Sequence, residues 1–542
     1  MIKFNESIKS LALLLFITIS LSCSCSKDKE IGEDDPIAEE EIKATGVYTS
    51  DKTQNVNVVY FYPKGTTPLP NYHKRLSGIM DYIQGFLADE LENYGFERKE
   101  FGLQRDTGDN SLIKIIPIEG NETDYTNAYS KTRQEVRNYF NAHPEEESST
   151  HTVIFQPSVT GESGCNFNVG GALPFTGINN WGFVVDYKEL DMRHFRTGTT
   201  EGDCLKVGST MHEILHSFNI QHDRERYGQE WECVMSGGGG KISRQESAGK
   251  IHITKTACAV LDRSEVFNSD GTFYGDPDLN IEQLQVATND QDVIVLSAKV
   301  SSSSKVKYLG VFHDKAPYII NQDYDAINWL GAINENGEVR MEMPLREFFP
   351  EMLIEGSELR MQLKFIHEDG SRTNKNFVYT IEAGKPNIDI NITSEDVQEF
   401  DKSAWEVLSA SSDESFAPKE ALIDGDITTF WHSKWTDPAS TLPQNFVIDM
   451  GAVMTVKGLT FVQRQQTDAA NDGPLKVHVK DYEVAVSTDG STWTQLGEYA
   501  LYQLVNKQYN IFDTEQSFRF LKITVNSTYE KDTCALAEIG AY

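Results

Sequence analysis

His212-Glu213-Ile214-Leu215-His216-Ser217-Phe218-Asn219-Ile220-Gln221-His222-Asp223 sets three histidines around one glutamate. On a helix, His212 and His216 share one face, so both imidazoles reach a single point at the ~2.0–2.1 Å a zinc–nitrogen bond needs. Glu213 then stands beside that point, placed to accept a proton from a metal-bound water. His222 comes six residues after His216, outside helical register. The chain must therefore turn sharply between them, and Asn219 is the best non-glycine residue for the positive φ this requires. With 12 histidines in 542 residues, one His-Glu-x-x-His is expected by chance about 0.02 times, and the third histidine lowers that about fortyfold. A lone histidine reads as a core or helix-face residue; three in register around a glutamate read as a metal centre.

Working outward, a helix is expected to begin near Gly208. Upstream, residues 56–62 read as a strand, and Leu76, Ile79, Met80, Ile83, Phe86, Leu87 and Leu91 form a helical stripe that Asn71 could cap and Gly95 could end. A β-branched run at 112–116, a second helix at 124–140, and strands at 151–156 and 181–187 follow. This alternation predicts a mixed α/β domain with a central sheet over residues 46–275.

The string HEILHSFNIQH resembles the HExxHxxGxxH signature of the metzincin zinc endopeptidases, and Cys233-Val234-Met235-Ser236 is similar to their Met-turn. The resemblance implies that His212, His216 and His222 are zinc ligands, that Glu213 is general base and then acid, and that Met235 lies beneath the metal. Asp223 after the third ligand is similar to the adamalysin, or reprolysin, branch. Two departures mark a divergent member: Asn219 replaces the turn glycine, and Ser236 to Gly240 supply no tyrosine near the metal. The glycine run is expected to form a flexible wall of a specificity pocket. The peptide-aligning edge strand is expected at 165–171 or 181–187.

Between about 276 and 385 the apolar period becomes two, as in Leu359-Arg360-Met361-Gln362-Leu363-Lys364-Phe365, with turns at Asn336-Gly337 and Asp369-Gly370. This predicts an immunoglobulin-like β-sandwich without chemistry of its own, serving as a spacer. A polar linker is expected over 385–396. From 396 to 542 the series Ala421-Leu422-Ile423-Asp424-Gly425-Asp426-Ile427-Thr428-Thr429-Phe430-Trp431, Phe446-Val447-Ile448-Asp449-Met450-Gly451, Tyr482 to Trp493, Phe518-Arg519-Phe520-Leu521 and Ala537-Glu538-Ile539 resembles the discoidin, or coagulation factor 5/8 type C, domain, which overlaps the family 32 carbohydrate-binding modules. The resemblance implies a β jelly-roll sandwich with Trp431 and Trp493 in its core. It also implies a structural calcium near Asp426, Thr429 and Glu538, although the same residues serve as plain turn formers. His432, Trp435 and Arg464 are candidates for a sugar-contacting rim, since a ring face plus hydrogen-bond donors is what a pyranose requires.

At the N-terminus, an apolar run at 11–21 after Lys3 and Lys9 is about as long as a signal-peptide core and too short to span a bilayer. Ser20-Leu21-Ser22-Cys23-Ser24-Cys25 resembles a bacterial lipoprotein signal, with Cys25 or Cys23 as the lipidated residue. Residues 1–25 are then the signal and 26–45 an acidic tether, and the mature protein is expected to be exported and anchored at the outer membrane or cell surface. Cys165, Cys204, Cys233 and Cys258 permit two disulfides in any of three pairings, and Cys534 is expected to be a buried thiol. With 49 basic against 82 acidic residues the net charge is −33, which excludes nucleic acid as a natural partner and leaves the lipid anchor as the expected membrane contact. The combined expectation is a lipid-anchored zinc endopeptidase, directed to glycoproteins by a glycan-binding module. A surface glycan-binding or adhesion lipoprotein with a degenerate peptidase domain is the alternative. A glycoside hydrolase would leave the zinc motif unexplained.

Overall fold

In the first domain, residues 57–62 alternate little in polarity because their strand is buried on both faces, as parallel sheets require. The computed structural model describes residues 44–542 except 126–127, 159–175, 179, 204, 317–322, 394–397, 437, 466–472, 502 and 504–506. The five-stranded sheet runs Ile116–Glu119, Asn57–Tyr62, Thr152–Pro157, Trp181–Asp186, Thr176–Ile178 in spatial order. The first four strands are mutually parallel and the last is antiparallel to its neighbour. Trp181–Asp186 is therefore an interior strand, and among the described residues the edge beside it is Thr176–Ile178; residues 165–171 lie outside the described residues.

Helix Tyr72–Asn93 lays the expected apolar stripe onto this sheet. Asn71 precedes it in a left-handed conformation (φ 54°) and makes no side-chain cap, so the cap expected there is not formed. The second helix spans Tyr129–Ala142, later than the sequence periodicity suggested. The β-branched run reaches the sheet only at Ile116–Glu119.

The second domain is a sandwich of two sheets. One runs Glu338–Pro344, Val293–Ser302, Leu279–Thr288, Asp389–Thr393; the other runs Ile327–Ala332, Val306–Lys315, Glu358–His367, Arg372–Glu382, Lys385–Asn387. The residues expected to be a linker thus begin as two strands, and Asp389–Thr393 pairs with Leu279–Thr288. Apolar positions from both sheets fill one core.

The last domain has eight strands among the described residues, with Gln444–Val462 and Gln508–Val525 forming its long central pair. Trp431 is fully buried in its core. Trp493 is only half-buried, because it follows the Asp489-Gly490 turn at the start of an outer strand, and the expectation that it belongs to the core does not hold.

A candidate metal centre and the surfaces around it

The helix carrying the motif is Val207–Ser217, packed on Trp181–Asp186 and Thr176–Ile178. It lies so close to the sheet that a Cβ on Gly182 would stand 2.6 Å from the Glu213 carbonyl oxygen. Its C-terminus closes with Asn219 in the left-handed region (φ 65°). Asn219 N–H donates to the His216 carbonyl at 2.8 Å and Ile220 N–H to the Leu215 carbonyl at 3.0 Å, the bond pair of a Schellman ending. Leu215 and Ile220 share the core beneath. This turn carries the chain back so that His222 faces the helix.

The Nε2 atoms of the three histidines lie 3.1 Å (His212 to His216), 3.1 Å (His212 to His222) and 3.0 Å (His216 to His222) apart. On the far side of its ring, His212 Nδ1 meets the Val234 carbonyl at 3.0 Å and His216 Nδ1 meets the Ile220 carbonyl at 2.8 Å. A carbonyl only accepts, so both Nδ1 atoms carry the hydrogen and both Nε2 atoms present bare lone pairs. Burial holds both rings neutral, pushing His212 down to about 4 and His216 well below the usual range. Lone pairs converging at such distances repel unless a cation stands between them, and one proton cannot serve all three. The donor set therefore fits a metal ion that prefers nitrogen ligands.

Glu213 is buried beside the cluster. Its Oε2 has no hydrogen-bond partner, and burial without a countercharge pushes its carboxyl up to about 8. Met235 is fully buried in the turn after Glu232–Cys233, next to the Val234 carbonyl that orients His212. Part of the glycine run expected to form a flexible wall is packed instead: Gly238 and Gly239 are buried, while Gly237 and Gly240 are exposed. Gly238–Lys241 is a short helical turn whose first two glycines are buried, and a Cβ on Gly208 would stand 1.8 Å from the Gly239 carbonyl oxygen. Glycine is required at this crossing for close backbone approach rather than for mobility.

Asp223 is fully buried and accepts from Thr254 Oγ1 (2.6 Å), Cys233 Sγ (3.2 Å) and Asn328 Nδ2 (3.0 Å); burial raises its carboxyl to about 6. Cys233 and Cys258 are free buried thiols, which overturns the expectation of two disulfides among the four cysteines. Cys233 is committed to Asp223 and Cys258 sits in the core helix Lys255–Arg263, while Cys165 and Cys204 lie outside the described residues. Cys534 is a buried thiol, pushed up to about 12 by burial.

Several residues around the centre come from the second domain and were not singled out by sequence. Tyr324 stacks on His222 with ring centroids 3.7 Å apart and planes 20° from parallel. Asn328 holds Asp223, and Lys364 Nζ donates to Gln221 Oε1. No sequence signal pointed this way: the alternation of Arg360, Gln362 and Lys364 reads as a face left to water, whereas all three are buried.

In the last domain His432 is buried rather than on a rim, with burial pushing its imidazole down to about 4. Trp435 packs on it at 4.0 Å and remains 40% exposed, next to the exposed Phe416. Arg464 lies over the Phe430 ring at 4.0 Å and is close enough to disfavour a charge on His432. Trp435 and Phe416 are thus the accessible ring faces, with His432 behind them. At the expected calcium position, Glu538 receives the Lys402 ammonium and the Gly425 N–H, Asp426 accepts from Thr428, and Thr429 donates to Asp424. Lys402 already neutralises the Glu538 carboxylate.

Among solved structures, OgpA from Akkermansia muciniphila is 27% identical, with a TM-score of 0.56 over 63% of this chain and 96% of that one. Catalytic inactive OgpA, solved in complex with an O-glycopeptide (glycodrosocin) substrate, matches with the same identity, coverage and TM-score. A sialidase of Micromonospora viridifaciens is 37% identical over 73 residues, so this chain spans about a tenth (10%) of the length of that curated relative and matches it over 13% of its own. Residues 407–539 match the F5/8 type C domain, the family to which the last domain belongs.

Proposed function

We propose that the protein is a zinc endopeptidase that cleaves O-glycosylated polypeptide, with the F5/8 type C domain binding glycan of the same or neighbouring chains. The observation that carries this reading is the convergence of three imidazole Nε2 atoms, two of them fixed as bare lone pairs, beside a buried carboxylate with an unpartnered oxygen. The likeness to OgpA, solved with an O-glycopeptide substrate, supports the substrate class.

His212, His216 and His222 would hold the zinc, which when bound supplies Lewis acidity toward water and a peptide carbonyl. The chain's own groups do the rest. Glu213 takes the proton of the attacking water at its unpartnered oxygen and returns it to the departing amine. Among the described residues Thr176–Ile178 ends the sheet beside the motif helix, and its outer backbone edge suits an extended peptide added as a further strand. Asp223 and the Val234 and Ile220 carbonyls hold the ligand turn and the imidazole tautomers. The apolar run ahead of Cys23 and Cys25 supports export and lipid anchoring, which would hold this activity at the cell surface.

The test is incubation of the protein with an O-glycopeptide and its unglycosylated counterpart, followed by mass spectrometry of the new termini. Cleavage of the glycosylated peptide that stops with a zinc chelator is expected. Glu213→Gln is expected to lower turnover about 10²–10⁴-fold with the fold intact. Absence of cleavage by zinc-loaded protein that still binds glycan would overturn the reading in favour of a non-catalytic glycan-binding lipoprotein.

A further inference from the structure

After the Asn219 turn, residues 220–224 lie outside helix and sheet apart from one bridge at Arg224, and neighbouring residues meet different domains. On one side, Ile220 enters the first domain's core, its carbonyl orients His216, and His222 turns to the histidine cluster. On the other side the segment meets the second domain, with Asp223 held by Thr254 and Cys233 of the first domain as well. Arg372 Nη1 donates to the Asn219 carbonyl at 3.4 Å, Lys364 Nζ to Gln221 Oε1, and Asn328 Nδ2 to Asp223 Oδ2 at 3.0 Å. Arg224 N–H then donates to the Ala326 carbonyl at 2.9 Å, so the segment runs on as a bridge to the strand at Ile327. The two domains also share apolar packing: Ile366, Tyr308 and Leu330 join the first domain's core.

We propose that the β-sandwich is part of the metal centre rather than a spacer, with Lys364 and Asn328 as positioning residues that fix the segment bearing His222. This rests on the zinc reading. His212 and His216 are held by a helix, whose hydrogen bonds fix their spacing. His222 lies beyond the helix, on a segment whose position is set by side-chain contacts from both domains: Thr254 and Cys233 of the first and Asn328 of the second on Asp223, and Lys364 of the second on Gln221. Lys364 is almost wholly buried, and the amide oxygen of Gln221 is where its ammonium hydrogen bonds; Asn328 binds the carboxylate immediately after the third ligand. Outer partners of this kind govern metal affinity as well as orientation.

The experiment measures zinc affinity of the full chain by competition with a chromophoric chelator, alongside the melting temperature of the zinc-free protein. Lys364→Met and Asn328→Ala are each expected to weaken zinc binding about 10- to 100-fold. Lys364→Arg, which keeps a donor, is expected to recover most of it. Val286→Ala, in the sheet that does not carry Lys364, is expected to lower the melting temperature and leave zinc affinity unchanged, which separates positioning from general stability. Wild-type affinity in both Lys364→Met and Asn328→Ala, with the wild type binding one zinc per chain, would overturn the inference alone. No zinc bound by the wild type would overturn the zinc reading and the inference with it. Asn328→Ala carries the test if Lys364→Met does not fold.

Discussion

Glu213 and Asp186 are both buried carboxylates, and their partners separate their roles. Glu213 leaves one oxygen without a partner beside three imidazoles, an arrangement that stability alone would not favour. Asp186 is saturated: Arg75 grips both its oxygens at 2.8 and 2.9 Å, and Tyr60 Oη donates at 2.9 Å. Asp186→Ala would strand the Arg75 guanidinium in the interior and is expected to destabilise the first domain by about 3–5 kcal/mol, read from the urea midpoint. Sequence alone could not pair Arg75 with Asp186, which lie 111 residues apart. It could pair His212 with His216, because helix geometry makes that contact local. The same logic explains why Asn219 was legible: a six-residue step between ligands forces a turn, and the turn forces a left-handed residue.

The motif helix is placed by two close approaches, Gly182 beneath it and Gly239 at its start. A side chain at Gly208 meets backbone, which cannot rotate away as a flexible side chain can. Gly208→Ala is therefore expected to lower stability by about 1–3 kcal/mol, and to weaken zinc binding as the helix shifts from the turn that orients His212. The check is a melting curve with and without zinc. The run Ser236-Gly237-Gly238-Gly239-Gly240 misled the reading of sequence because glycine serves mobility and close packing equally well, and only the neighbour across the gap shows which. Strand Glu358–His367 gave the opposite lesson: its alternation matches its place in the sandwich, yet the polar face that such alternation usually leaves to water is buried, with Lys364 reaching Gln221 of the first domain.

Across the molecule, buried neutral histidines recur away from the three-histidine cluster. Burial pushes His151, His432 and His478 down to about 4 and His313 to about 3. His151 shows why its neutral form is fixed: Nδ1 donates to the Ser217 carbonyl at 2.6 Å, and Nε2 accepts from Tyr274 Oη at 2.7 Å. The unfolded chain takes up protons at these sites near pH 6.5, whereas the folded chain resists until about pH 4, so stability is full above pH 6.5 and is lost as pH falls toward 4. His252, raised by its hydrogen bond to Glu90, acts in the opposite sense, its contribution fading as pH rises through its folded value. A fall of about 1–2 kcal/mol for a fully buried histidine such as His151 is expected between pH 6.5 and 5. Denaturant midpoints at pH 7 and 5 would show it, with a smaller difference in His151→Gln. The motif helix, the ligand turn, the α/β sheet and the two β-rich domains were legible from residue order because each depends on neighbours within a few positions of the chain. The free state of Cys233, the buried place of His432, the outer position of Thr176–Ile178 among the described strands and the grip of Lys364 and Asn328 on the segment bearing His222 depend on contacts between residues far apart in sequence. Local periodicity constrains a segment's own shape and which face it buries; it carries no information about what that face meets, and that meeting places the second domain beside the histidine cluster.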